Sequence, residues 1–249
     1  MLTQPLLDKL IQLRLPAFRT GLQEQLNNPK YAELSFEERL TILVDMECTR
    51  RHDRRLQRLI KLAAFPQSAT LEDLDLSASR GLERRFVLEL AQCNWIDQHR
   101  NTLVLGPTGS GKSFLSCALG LAACRTGHSV HYSRTSRLLF QLTQSHLDGS
   151  FPDLLASLAK LDLLILDDWM RDPIPLTGTQ DLLEIFDDRF NKKSTLIVSQ
   201  VPVTDWHPRF PDPTLADAIL DRTIHNAYRI SLLGASQRKL RADRIMPHT

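Results

Sequence analysis

The N-terminal stretch of the chain repeats apolar residues with a helical period. Leu6, Leu7, Leu10, Ile11 and Leu13 recur three and four apart after Thr3 and Pro5, which predicts an amphipathic helix. A second short helix is expected from Pro16 to about Leu26, where Asn27-Asn28-Pro29 interrupts it. Ser35-Phe36-Glu37-Glu38 reads as a capping box: the serine oxygen takes a free N–H and the glutamate reaches back. It should open a long helix from Phe36 to about Ala63. Phe65-Pro66-Gln67-Ser68 breaks that helix, and 64–81, with Pro66, Ser77, Ser79 and Gly81, reads as a linker. A helix from about Leu82 to Asp97 follows.

The pattern then changes. Short apolar runs end at polar or glycine residues: Thr102-Leu103-Val104-Leu105, Ser129-Val130-His131-Tyr132, 162–168, 194–200 and 228–233. Helical patterns fill the gaps at 112–126, 135–147, 177–192 and 214–227. Strands apolar on both faces and alternating with helices predict a parallel sheet covered on two sides. The expected fold class is α/β, a P-loop domain preceded by a small all-helical domain.

The full sequence has 249 residues, 42% hydrophobic and 24% charged, which suits a globular α/β domain with an appendage. No run approaches the length needed to span a bilayer, so no membrane partner and a cytoplasmic location are expected. The net charge of +2 is too small to imply nucleic acid by itself. Cys48, Cys93, Cys117 and Cys124 lack metal-site spacing and read as free, mostly buried thiols.

The chemistry concentrates in Gly106-Pro107-Thr108-Gly109-Ser110-Gly111-Lys112-Ser113, followed by Phe114. This is the full phosphate-loop pattern, set between a predicted strand and a predicted helix. Glycines let the backbone curl until its amides point inward, and the helix N-terminus adds its own donors. Lys112 should reach the β- and γ-phosphates of ATP, and Ser113 should hold Mg²⁺. Leu163-Leu164-Ile165-Leu166-Asp167-Asp168 is a buried strand with two carboxylates at its C-terminal end, where ligands of open α/β sheets bind. Asp167 is the candidate for the Mg²⁺ shell and Asp168 for orienting or deprotonating water. Gln200, ending the next apolar run, could contact the γ-phosphate or that water.

These segments resemble the IstB/DnaC group of AAA+ ATPases, and most of all the IstB-type transposition helpers of insertion sequences. The resemblance runs from about residue 5 to 241. Besides the two motifs above it rests on Leu34-Ser-Phe-Glu-Glu-Arg-Leu40, Arg80-Gly-Leu82, Asp188-Arg-Phe190, Ser194-Thr195 with Ser199-Gln200, and Asp212-Pro-Thr-Leu-Ala-Asp-Ala-Ile-Leu-Asp-Arg222 with His225-Asn226. It implies an AAA+ domain over 82–241, a helical domain over 1–63 that contacts transposase or DNA, and a basic tail at 242–249. It also implies that Arg222 is an arginine finger offered to a neighbouring subunit, that Arg238 is a second sensor arginine, and that Gln200 falls at or near the first sensor. Two residues depart from the pattern. Asp168 stands where many of the wider superfamily carry glutamate, and Met170 stands where glycine is usual.

At about 100° per residue, Arg50, Arg51, Arg54, Arg55, Arg58 and Lys61 share one side of the long helix, with Leu56, Leu59 and Ile60 on the other. The stripe suits a solvated face or, given the resemblance, contact with DNA phosphates or a transposase; the resemblance also implies DNA contacts on the face of Arg134 and Arg137 after the second strand, with duplex DNA held mostly through its backbone. The expected function is ATP-dependent assembly of this chain with itself on target DNA, recruitment or activation of a transposase, and hydrolysis that resets the complex. A helicase loader of the DnaC type and a metabolic P-loop kinase are the alternatives. A kinase would need an acceptor pocket, and the double acid at 167–168 fits water better.

Overall fold

The structure, a computed structural model, describes residues 3–75 and 82–233. The second sensor candidate Arg238, the basic tail, and Ser77, Ser79, Arg80 and Gly81 lie outside the described residues. The chain divides into two compact units, Met1–Arg58 and a second that begins at Leu59.

The first unit is helical. Helices α1 (Thr3–Gln12) and α2 (Pro16–Asn27) precede a short 3-10 turn, and α3 runs from Phe36 to Ala63. The capping box forms: Ser35 N donates to Glu38 Oε2 at 2.7 Å and Glu38 N to Ser35 Oγ at 3.2 Å. Buried Leu7, Leu10, Ala17 and Leu43 form the core. Gly21 lets α2 and α3 meet, since a Cβ there would lie 2.8 Å from both Leu43 Cδ2 and Met46 Sδ. Glu47 on α3 caps α2 from outside: its carboxylate accepts from the amides of Ala17 (2.9 Å) and Phe18 (3.3 Å). A carboxylate at a helix N-terminus satisfies free amides and opposes the dipole.

The second unit holds the parallel sheet. Its strands are β1 (Asn101–Leu105), β2 (Val130–Arg134), β3 (Leu163–Asp167), β4 (Ser194–Ser199) and β5 (Ala227–Ser231), in the order β2-β3-β4-β1-β5. Strands β3 and β4 are buried throughout, as the continuous apolar runs require. Strand side chains alternate between faces. Leu164, Leu166, Leu103 and Ile197 pack against the core that includes Leu138, Leu142, Leu182, Trp169 and Trp206. Ile165 points the other way, against helix α6 (Lys112–Arg125), where a Cβ on Gly120 would lie 2.8 Å from Ile165 Cδ1.

The single helix expected from Leu82 to Asp97 is two, α4 (Arg84–Ala91) and α5 (Asn94–Asp97). Cys93 turns left-handed at φ 63° between them and buries its thiol. No glycine or proline marks that break, so periodicity runs through it. Helix α7 (Thr135–Asp148) is followed by α8 (Phe151–Lys160), a further helix between the second and third apolar runs. Helices α9 (Leu176–Arg189) and α10 (Pro213–Ile224) complete the set. Of the cysteines, Cys48 is exposed and the others are buried.

The edge of the sheet where the strands begin is locked by charge. Arg189, 2% exposed, donates Nη1 to the carbonyls of Leu158 (2.6 Å) and Leu161 (2.9 Å) and Nε to Thr195 Oγ1 (3.2 Å), while Nη2 bonds the Ser194 carbonyl. Burial pulls its pKa down to about 10, opposed by the nearby Asp162 charge. Asp162 accepts from Ser129 and from Lys193 Nζ (2.6 Å). Burial alone would raise its carboxyl, and these bonds hold it down to about 2. Replacing Arg189 with leucine should lower the unfolding free energy by roughly 3 kcal/mol, because each buried carbonyl left without a donor costs about 1–3 kcal/mol. Chemical denaturation of Arg189→Leu against the parent chain measures this.

Candidate phosphate-binding site

The phosphate loop leaves the C-terminal end of β1 and runs into α6, as the motif requires. Gly106, Gly109 and Gly111 take φ values of 150°, 81° and 91°. At Gly106 a side chain is excluded by contact as well as by conformation: a Cβ would lie 2.6 Å from the Leu232 carbonyl oxygen. That carbonyl is fixed because Leu232 N donates to Leu105 O at 2.7 Å. The loop therefore curls tightly against the end of β5. Lys112 Nζ donates to the Pro107 carbonyl at 3.0 Å, folding over the loop where a phosphate oxygen would compete for it. The N-terminal end of α6 adds the positive pole of the helix dipole.

Asp167 ends β3 and is 3% exposed. Its Oδ1 accepts from Asp168 N at 2.7 Å, its Oδ2 takes the Tyr132 hydroxyl, and its carbonyl accepts from Thr135 Oγ1 at 3.0 Å. It faces α6. The Cys117 thiol is pushed up to about 12 by burial and then by the Asp167 charge. Cys117 and Ser113 are four apart and share one helix face, so that face brings the Ser113 hydroxyl toward the carboxylate. Ser113 and Asp167 offer hard oxygen ligands, which suit Mg²⁺ held by one or two carboxylates together with nucleotide phosphates. Among the described residues no group of three or more His, Cys, Asp or Glu forms a metal site alone.

Asp168 projects beside this pair with φ 56°, a left-handed conformation of the kind found at functional sites. Its Oδ2 is 3.1 Å from Arg171 Nη1 and 3.7 Å from Arg134 Nε. Gln200, exposed at the end of β4, accepts from Thr108 Oγ1 at 2.5 Å and so touches the phosphate loop directly. The strand order explains the meeting: β4 lies between β1 and β3, so its tip separates the loop from the acids.

Arg222 is not part of this cluster. It lies in the last turn of α10, and its carbonyl accepts from Asn101 Nδ2 at 3.0 Å. Asn101 begins β1, whereas the phosphate loop leaves its other end. Five strand residues separate the two edges by roughly 13 Å at about 3.3 Å per residue. The guanidinium is held by Asp187 on α9 and by the Ala218 carbonyl (2.8 Å). It borders a surface recess of about 540 Å³ lined by Asp217, Asp221 and His225 among others.

A family model of IstB-like ATP binding proteins matches residues 8–244. The chain belongs to this family. It is 43% identical over 239 residues to the insertion sequence ATP-binding protein y4pL of Sinorhizobium fredii, covering 96% of this chain and 98% of that one. It is 47% identical over 219 residues to the ATP-binding protein of insertion sequence IS1162 of Pseudomonas fluorescens, covering 86% and 95%. Among solved structures, DnaI matches with a TM-score of 0.58 at 19% identity over 71% of this chain and 93% of that one. The DnaC helicase loader matches with a TM-score of 0.53 at 18% identity over 65% and 96%. At such identities these two show the fold, which is the AAA+ fold.

In this IstB-like chain the unusual Met170 takes φ 58°, the conformation that glycine adopts without penalty. Met170 is 1% exposed and packs with Trp169 and Trp206. The left-handed backbone costs about 1–2 kcal/mol, against about 2–5 kcal/mol gained from a buried methionine side chain. Its carbonyl accepts from Arg209 Nη1 at 2.9 Å, and Trp169 N donates to Val198 O at 2.9 Å. The loop after Asp168 is thus tied to β4.

The arginines picked as DNA contacts fall in two places. Arg50, Arg51, Arg54, Arg55 and Arg58 are all exposed on α3, with Leu56, Leu59 and Ile60 less so. Arg51 also pairs with Glu47 at 3.1 Å. Arg134 and Arg137 are exposed where β2 meets α7, on the edge that carries the acids. Sequence reasoning missed Tyr132, Arg171 and Asp187. A tyrosine within an apolar strand run and charges scattered on helices carry no motif.

Gly106→Ala should abolish tight ATP binding with little change in the secondary structure, since its Cβ displaces either the loop or Leu232. Titration with a fluorescent ATP analogue beside circular dichroism tests this; unchanged affinity would count against the cradle.

Proposed function

We propose that this IstB-like protein is an ATP-hydrolysing, DNA-binding transposition helper that assembles with itself on duplex DNA and recruits or activates a transposase. The observation that carries the reading is the separation of Arg222 from the phosphate loop. A subunit holding ATP at one edge of its sheet and an arginine at the opposite edge can complete hydrolysis only against a neighbour.

In this reading the curled amides and Lys112 bind the triphosphate, and Ser113 with Asp167 holds Mg²⁺. Bound between these two residues, Mg²⁺ would supply positive charge to offset the charge on the transferring phosphoryl group. Asp168 orients the attacking water and accepts its proton, once Arg134 and Arg171 release its carboxylate. Gln200 turns from Thr108 to the γ-phosphate or that water. Arg222 leaves Asp187 and enters the neighbour's site, where it stabilises the transferring phosphoryl group. Arg238 takes the second sensor role that the family resemblance implies.

The exposed arginines of α3 suit contact with DNA phosphates, which is largely independent of sequence and weakens with salt. On the same helix Phe36, Leu40 and Val44 are 72%, 39% and 45% exposed and four residues apart, an apolar row suited to a protein partner. We assign that row to the transposase, because the relatives at 43% and 47% identity are insertion sequence proteins. The helicase-loader alternative is supported only by likeness of fold. The reading places the protein with ATP and DNA in the cytoplasm.

Phosphate release with and without duplex DNA is the first test, with stimulation expected to fall steeply as salt rises. A mixing experiment tests the shared site. Arg222→Ala should bind ATP normally and lose about 10³-fold in hydrolysis, and Lys112→Ala should fail to bind ATP. Combined, they should recover measurable activity, since one supplies ATP and the other the arginine. A mixture as inactive as its components would contradict completion in trans.

A further inference from the structure

We infer that Tyr132 is a positioning residue for the metal shell, its hydroxyl fixing the Asp167 carboxylate in the orientation that holds Mg²⁺. The inference rests on the ATP and Mg²⁺ reading of the site and adds a residue from outside both phosphate-site motifs.

The argument begins in the register. Tyr132 on β2 pairs with Ile165 on β3, and Arg134 pairs with Asp167. Side chains two apart on a strand share a face. Tyr132 therefore lies on the α6 side of the sheet, two positions before the level of the acid. Its long side chain spans that interval, and its hydroxyl donates a hydrogen bond to Asp167 Oδ2. Tyr132 is 6% exposed and Asp167 3%, so water does not substitute freely for this bond.

The other carboxylate oxygen accepts from Asp168 N at 2.7 Å. Both oxygens are thus held, and the carboxylate plane cannot rotate without breaking a bond. Each oxygen keeps a lone pair for a metal, on a carboxylate whose charge is felt at Cys117 of α6. Partners that orient a ligating carboxylate commonly alter metal affinity tenfold or more when removed. Thr135 does a different task, since its hydroxyl holds the Asp167 main-chain carbonyl at 3.0 Å.

Tyr132→Phe removes the hydroxyl and keeps the ring, so the strand should pack unchanged. The full chain is titrated with a fluorescent ATP analogue in EDTA and again across a Mg²⁺ series. Wild type and Tyr132→Phe should bind equally in EDTA, while the Mg²⁺ concentration for half-maximal enhancement rises about tenfold in the variant. In the Asp167→Asn background the same substitution should have no further effect, which a merely structural tyrosine would not satisfy. An identical or lower Mg²⁺ requirement in Tyr132→Phe would overturn the inference, as would equal effects in both backgrounds. Loss of binding in EDTA would assign Tyr132 to packing and overturn it too. If the wild type itself shows no Mg²⁺-dependent binding, the underlying reading of the site fails instead.

Discussion

The close approach of Gly106 to the Leu232 carbonyl is the constraint on which the rest depends. A loop pinned between the ends of β1 and β5 has room for backbone and none for a side chain. Pinning fixes the start of α6 as well, and with it the placement of Lys112 and Ser113. Sheet order then sets the partners: β4 beside β1 supplies Gln200, and β3 beyond it supplies Asp167 and Asp168. A parallel sheet gathers these residues at one edge, because all its strands end there.

The opposite edge is built differently. Arg189, Asp162, Lys193 and Asn101 spend their polar groups on one another and on backbone carbonyls. That edge is a brace, and Arg222 is anchored to it through the helix end it occupies. In the proposed reading the two edges have different tasks: the first exchanges Lys112 and Asp168 between protein and nucleotide partners, and the second carries the helix end from which Arg222 would leave Asp187 for a neighbour.

Much of this was legible in the chain. The long helix begins and ends where the capping box and Pro66 predicted, and each apolar run proved to be a strand of one parallel sheet. Motifs reveal residues whose chemistry demands fixed spacing, so the phosphate loop and the paired acids stood out. Several contacts were hidden because they join distant parts of the sequence. Tyr132 meets Asp167 across a strand register, Asp187 meets Arg222 across two helices, and Glu47 caps a helix that begins at Pro16. The break at Cys93 was hidden for another reason: a buried thiol took a left-handed turn that composition assigns to glycine or asparagine. Met170 is the same lesson reversed, a side chain whose burial outweighs the cost of its backbone.

The central claim, that the curled loop binds the phosphates of ATP, is tested most directly by a crystal structure with Mg²⁺ and a non-hydrolysable ATP analogue. The account predicts the β-phosphate within hydrogen-bonding distance of the loop amides, with the Lys112 ammonium transferred from the Pro107 carbonyl to phosphate oxygen. A nucleotide bound elsewhere, with Lys112 still seated on Pro107, would contradict it.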